Sequence, residues 1–142
     1  MRDFTKSRII EWGECDAAGI VYYPHYYMWM DNHFHAFGRS LGVDQRMLKE
    51  AYGLLGTPLV DTGCRFRAPA TYGDELQVTL VLAAIGTSSL NLHYRFARGD
   101  TVTAEGRETR VFVRSEGEGI VTAPIPEDVR AAFTPYLAPV EA

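Results

Sequence analysis

One stretch constrains the architecture more than any other. From Pro24 to about Leu41 the chain reads PHYYMWMDNHFHAFGRSL. Tyr26, Met30, Phe34 and Phe37 recur at i, i+4, i+8 and i+11, which is the spacing of one helical face. Tyr27, Met28 and Trp29 carry apolar bulk onto the other faces. A helix apolar nearly all round at its start calls for other structure to wrap it. After GLLGTP the hydrophobic period changes from helical to alternating, so the wrapping is a sheet.

Four alternating runs read as strands: Leu59–Ala68, Glu75–Ile85, Ser89–Arg98 and Thr101–Ser115. In the third, Leu90, Leu92, Tyr94 and Phe96 share one face and Asn91, His93 and Arg95 the other. Gly73-Asp74, Gly86-Thr87 and Gly99-Asp100 are turn signals between successive strands, which predicts an antiparallel meander. Phe4–Trp12 is a further strand at the start. Gly13 and Gly19 break both periodic patterns and mark a loop. Pro24 suits the first turn of the long helix, and Gly42 its end. Asp44–Tyr52 is a short exposed helix with Asp44 as N-cap. The proline-rich tail holds a short helix around Glu127–Phe133. The class is α+β: one curved antiparallel sheet wrapped around one apolar helix. Charges such as Arg95 and Glu105 fall on the outer face, and the sheet edges call for a second copy to cover them.

With 142 residues, 46% apolar and 23% charged, one domain spanning 1–142 with a real core is expected. A net charge of −4 excludes a sequence-independent nucleic-acid binder. Cys15 and Cys64 form neither a C-x-x-C pair nor a Cys/His framework. No signal peptide is visible, and no window approaches the ~20 apolar residues of a membrane span. A cytoplasmic protein with reduced thiols and no membrane association is expected.

Asp16 sits in a small-residue turn ahead of the helix. It is either a turn aspartate bonding its own backbone or a carboxylate beside a helix start. That start offers free N–H groups and a positive dipole end, fit for a developing oxyanion. A carboxylate there can attack an acyl carbon or activate a water. His25 is either a substrate hydrogen-bond partner or a capping histidine. His33 and His35 point to opposite sides of the helix, and His25 lies two turns from His33, so no metal site is expected. Cys15 is a nucleophile or an inert thiol. Asp31 has no helical partner, since Arg39 is two turns on; it is partnered across an interface or belongs to a site. The cluster Tyr22, Tyr23, Tyr26, Tyr27 and Trp29 is core, or in part the lining of an acyl or aryl pocket.

The run DAAGIVYYPHYYMWMD, Asp16–Asp31, resembles the signature of hotdog-fold acyl-CoA thioesterases. It is most similar to the 4-hydroxybenzoyl-CoA thioesterase type, whose pattern reads D-x-x-G-(I/V)-V-(W/Y)-Y-x-x-Y. GTP at Gly56–Pro58 and F-x5-Y-x-D from Phe66 to Asp74 match as well, and the resemblance covers nearly the whole chain. It implies a five-stranded antiparallel sheet around a long central helix, and a homotetramer built from dimers with sites at subunit interfaces. It implies hydrolysis of an acyl-CoA, an aryl-CoA such as 4-hydroxybenzoyl-CoA first, with no cofactor beyond the CoA of the substrate. Asp16 maps onto the nucleophile or general base. The Tyr23 backbone N–H maps onto the oxyanion donor. Asp31 maps onto an aspartate near the ring end of the substrate, and Thr57 onto a site-proximal threonine; Gly19 and His25 join the substrate-binding set. The chain departs from the type at Ile85–Leu90, IGTSSL, where the 4-hydroxybenzoyl enzyme carries a tryptophan and basic residues. Arg65, Arg67, Arg95, Arg98 and Arg114 are then the candidates for CoA phosphates. The competing expectations are a short-chain acyl-CoA or acyl-carrier-protein thioesterase, and a non-catalytic acyl-binding module.

Overall fold

The computed structural model describes residues 2–139. In chain order the elements are β1 (Phe4–Ile9), α1 (Pro24–Ser40), α2 (Gln45–Tyr52), β2 (Leu59–Phe66), β3 (Glu75–Ile85), β4 (Ser89–Arg98), β5 (Thr101–Val111), β6 (Val113–Glu116), β7 (Gly119–Thr122) and α3 (Glu127–Phe133). A 3-10 turn at Trp12–Glu14 ends the first strand earlier than its apolar run suggests. Pro24 stands at the first position of α1, and Gly42, at φ +73°, turns the chain away after it. The Asp44 carboxylate accepts the Met47 N–H at 3.0 Å and so caps α2. Among the described residues no helix is long and apolar enough to cross a membrane.

The main sheet has five strands in the order β1-β3-β4-β5-β2, all neighbours antiparallel. β3, β4 and β5 form the expected meander. β2 does not continue it: it crosses to the far edge and pairs with β5, from Leu59 opposite Arg110 to Phe66 opposite Ala104. The Gly73-Asp74 turn is therefore no β2–β3 hairpin. Gly73 N–H donates to Ile10 O, and Ile10 N–H to Asp74 O, so this turn fastens β3 to the end of β1. Both edges of β3 are occupied, by β1 and β4, and β2 takes the open edge of β5 instead. The last predicted strand also divides. It breaks at Phe112, and Val113–Glu116 pairs with Gly119–Thr122 as a separate hairpin, turning at Gly117 with φ +59°.

The sheet curls over α1. Tyr26, Met30, Phe34 and Phe37 are all buried, against the inward row Leu90, Leu92, Tyr94 and Phe96 and against Leu76, Val78, Leu80 and Leu82 of β3. Each such side chain contributes about 1.5–3 kcal/mol of burial. Helix and sheet pack tightly at Gly106, where an added Cβ would collide with Met30 Sδ. His33 is buried with Nε2 2.9 Å from Phe4 O, and burial lowers its pKa, so it is a neutral core histidine. The wrapping is incomplete at the start of α1. Trp29 is buried and Tyr27 half-buried, but Met28 is 57% exposed and Tyr23 56%. Leu59 and Val60 are likewise exposed on β2, whose outer edge has no partner strand among the described residues.

Candidate active site

The loop between β1 and α1 is a miniature hairpin. Cys15 bridges Val21, Asp16 N–H donates to Ile20 O, and Gly19 N–H returns to Asp16 O, both at 2.9 Å. Gly19 has φ +80°, a conformation that side-chain-bearing residues resist. Thr71 Oγ1 donates to Gly19 O at 2.6 Å, and Val21 N–H to Ala70 O, which staples the loop to the segment before β3. Asp16 Oδ1 accepts the Ala18 N–H at 2.9 Å, the turn bond expected of such an aspartate. Asp16 Oδ2 keeps no partner among the described residues, and the side chain is exposed. The turn reading of Asp16 is met through one oxygen, which orients the carboxylate and leaves the other free.

The start of α1 lies alongside. His25 N–H donates to Tyr22 O and Tyr26 N–H to Tyr23 O, while Pro24 has no N–H to offer. The Tyr23 N–H has no acceptor among the described residues. Asp16 and Tyr23 border one hollow of about 400 Å³, walled by Ile20, Val21, Tyr26, Phe66, Pro69 and Ala70. The Phe66 ring stands 6.4 Å from Tyr23 and 5.6 Å from Tyr26. Burial raises the Tyr26 pKa, so its phenol is neutral; it lies 3.2 Å from Thr103 Oγ1. On the other side of the loop Asp16, Gly19 and Cys15 border a second hollow of about 280 Å³, with Trp12, Thr71 and Tyr72. A larger groove of about 730 Å³ runs over the outer face of the sheet, among Arg65, His93, Arg95 and Arg107. It borders neither Asp16 nor the helix start.

Asp31 and Thr57 lie elsewhere in the same chain. Asp31 Oδ1 takes Arg110 Nη2 at 2.8 Å and faces His35 Nε2 at 3.4 Å. The sequence leaves Asp31 either partnered across an interface or part of a site; a partner is found within its own chain, on β5, 79 residues away, with His35 one helical turn on as a second neighbour. Arg110 is buried. It meets both Glu108 oxygens at 3.1 Å, donates to Thr57 O at 3.1 Å and lies 4.3 Å over the Phe34 ring. Burial opposes its charge, but Glu108 and then Asp31 outweigh it and hold the guanidinium above its usual range. Tyr94 donates to Glu108 at 2.6 Å, and burial with the Glu108 charge pushes its phenol well above its usual range. Thr57 is 4% exposed, and its Oγ1 finds no hydrogen-bond partner among the described residues. Thr57, His35, Leu55 and Arg110 border a further hollow of about 380 Å³. Of the sequence-derived residues, Asp16 therefore shares one hollow with Tyr23 and another with Gly19, while Asp31 and Thr57 are joined elsewhere in the chain through Arg110, where Thr57 borders a separate hollow. His25 is half-buried, edge-on to Tyr22 and tilted against Trp29, and borders neither hollow at Asp16.

Sequence reasoning missed Glu108, Arg110 and Glu14. The first two carry a legible signal, because alternation along β5 puts Ala104, Gly106, Glu108 and Arg110 on the inward face, where charges need partners. Cys64 is no nucleophile at neutral pH, since burial pushes its thiol up to about 11. Among the described residues no His, Cys, Asp and Glu side chains gather as a metal site. Of the candidate phosphate ligands, Arg67 is paired with Glu105, Arg98 with Asp74, and Arg114 lies 3.9 Å from Glu116. Arg65 and Arg95 have no ion-pair partner among the described residues and face the outer groove.

The profile of the thioesterase-like superfamily matches residues 10–133. The chain belongs to the thioesterase-like superfamily. It is 29% identical over 133 residues to the 4-hydroxybenzoyl-CoA thioesterase of Pseudomonas sp. strain CBS-3, covering 89% of this chain and 94% of that one. It is 25% identical over 127 residues to the 1,4-dihydroxy-2-naphthoyl-CoA hydrolase of Synechococcus elongatus, covering 89% and 92%. A gentisyl-coenzyme A thioesterase superposes with a TM-score of 0.78 at 33% identity, over 92% of this chain and 98% of that one. A mutant 4-hydroxybenzoyl-CoA thioesterase complexed with 4-hydroxybenzoyl-CoA superposes with a TM-score of 0.86 at 28% identity, over 94% and 99%. The hotdog fold implied by the Asp16–Asp31 run is thus the fold of this thioesterase-family enzyme.

Proposed function

We propose that this enzyme hydrolyses an aryl-CoA thioester to the free acid and CoA, with Asp16 as the reacting carboxylate. The observation that carries the reading is one juxtaposition. The unpartnered Asp16 Oδ2 and the unpartnered Tyr23 N–H border the same aromatic-walled hollow at the start of α1. The Tyr23 N–H, aided by the helix dipole, stabilises the carbonyl oxygen as it gains charge. Asp16 Oδ2 either adds to the acyl carbon and displaces the thiolate, giving a mixed anhydride that water then cleaves, or takes a proton from a water that adds. In both routes the C–S bond breaks with its electron pair on sulfur. A thiolate leaves readily, so no acid as strong as an alkoxide would demand is needed, and no cofactor beyond the CoA of the substrate. Gly19 keeps the loop tight beside Asp16; His25, which borders neither hollow at Asp16, is assigned to a part of the substrate that extends beyond them.

Relatives named for 4-hydroxybenzoyl-, gentisyl- and dihydroxynaphthoyl-CoA support an aryl acyl group. The tyrosine and phenylalanine walls of the hollow suit one. The test is thiol release from benzoyl-, 4-hydroxybenzoyl-, acetyl- and hexanoyl-CoA and from an acyl-carrier-protein thioester. Aryl-CoAs are expected to give the highest kcat/KM. Preference for the carrier protein or for short aliphatic chains would replace the aryl reading. Tight binding without release would make the protein a non-catalytic acyl-binding module.

Asp31 and Thr57 are assigned to the far end of the acyl group in a neighbouring chain's site, because within one chain neither borders the hollows at Asp16, and Thr57 lines a separate hollow beside Arg110, the partner of Asp31. This requires a homo-oligomer, proposed as a tetramer of two dimers. The open β2 edge and exposed Tyr22, Tyr23, Met28, Leu59 and Val60 supply apolar surface for it. Light scattering at micromolar concentration is expected to give four times the chain mass of 15.9 kDa. A monodisperse monomer would contradict sites shared between chains.

A further inference from the structure

Asp16 lies on a loop whose residues 16–20 are all exposed. The loop has no core of its own, so its position relative to α1 is set where it is fastened. At its base stands Glu14, whose side chain is 15% exposed. Glu14 Oε1 accepts the Glu11 N–H at 2.7 Å. Glu14 Oε2 accepts Arg8 Nη2 and Trp29 Nε1, each at 2.9 Å. Its backbone O accepts the Tyr22 N–H at 2.9 Å, immediately before the free N–H of Tyr23. The Arg8 guanidinium covers the Trp29 ring at 4.5 Å and closes the cluster. One carboxylate therefore links β1, the 3-10 turn and the second turn of α1, two residues ahead of Asp16.

We infer that Glu14 is a positioning residue for hydrolysis, holding the Asp16 loop in register with the Tyr23 N–H; the inference rests on the function proposed above. Trp29 is six positions along the same rigid helix as Tyr23, so a bond from the loop base to Trp29 Nε1 fixes the loop against the oxyanion donor. Three donors converge on two oxygens, and this demands an acceptor-only group. Glutamine has the same shape but turns an NH2 toward one or more of those donors. The carboxylate at position 14 thus sets where the reacting carboxylate at position 16 sits, without touching substrate.

The test compares Glu14→Gln, Trp29→Phe and their combination for kcat, KM and the unfolding free energy, with amide hydrogen exchange of residues 14–23. A displaced loop is expected to lower kcat of Glu14→Gln by about 30-fold or more while KM moves less than about threefold. Trp29→Phe lowers kcat in the same direction, and the double variant is no worse than Glu14→Gln alone, because both break one linkage. The Asp16, Gly19 and Tyr22 amides, protected in the wild type by Ile20 O, Asp16 O and Glu14 O, exchange faster in Glu14→Gln, while β3 and β4 amides keep their protection. A Glu14→Gln enzyme with kcat within about threefold of wild type overturns the inference, as does additive loss in the double variant. If the wild type hydrolyses no thioester, the proposed function fails on its own. The exchange data then judge the clamp: unchanged protection at 16, 19 and 22 overturns it, and selective loss there upholds it.

Discussion

Asp16→Asn is expected to lower kcat by about 10²–10⁴-fold, the range contributed by a positioned acid–base or nucleophilic group. The fold is expected to survive. Asp16 is exposed, and asparagine Oδ1 can still accept the Ala18 N–H that orients the side chain. Unfolding free energy should change by no more than about 0.5 kcal/mol. KM for an acyl-CoA should stay close to wild type, since the hollow loses no volume and the Tyr23 N–H is untouched. The loss therefore falls on the oxygen that has no partner in the resting enzyme. Steady-state kinetics with circular dichroism on the same preparation measures both halves. Wild-type kcat in the variant would return Asp16 to a turn aspartate and nothing more.

The second large effect is on stability. Arg110→Met is expected to cost about 3–5 kcal/mol of unfolding free energy, because it strands the Glu108 carboxylate without its cation. Glu108 is 2% exposed and has only the Tyr94 hydroxyl left to meet its charge. Asp31 suffers less from losing the same partner, since its side chain is 52% exposed and solvated. The double variant Glu108→Gln/Arg110→Met is expected to recover most of the loss. It removes the orphaned charge while keeping an acceptor for Tyr94 and apolar contact with Phe34. Urea denaturation of the three proteins checks this. A double variant as unstable as Arg110→Met alone would show that the network's worth lies in its bonds, not in charge compensation.

The sequence revealed those parts of the molecule whose signal is local. The buried stripe Tyr26, Met30, Phe34 and Phe37 follows from helical spacing, and the β3–β4–β5 meander follows from alternation and two-residue turns. Pairing between distant segments leaves no such mark. The runs of β2 and β3 look equally ready to pair, but both edges of β3 are taken by β1 and β4, and β2 pairs with β5. The same holds at the site. Asp16, Gly19 and Tyr23 lie within one short stretch and share a motif, so the hollow that Asp16 and Tyr23 border was legible. Asp31 looked unpartnered because Arg110 is supplied from β5. Glu14 went unnoticed because Arg8 and Trp29 become its partners only once β1 and α1 are packed side by side. The inward charges at Glu108 and Arg110 were readable from the β5 register, and they point to the pairing that Asp31 alone conceals.

The central claim is that the free Asp16 oxygen and the free Tyr23 N–H together cleave a thioester. The most direct measurement is simultaneous quantification of thiol and acid released from 4-hydroxybenzoyl-CoA by the wild-type enzyme, with Asp16→Asn alongside. The expected result is saturable release of one CoA per acid by the wild type, and almost none by the variant. Equal release by both proteins would contradict the role given to Asp16. No release from this or any other thioester would contradict hydrolysis at this site altogether.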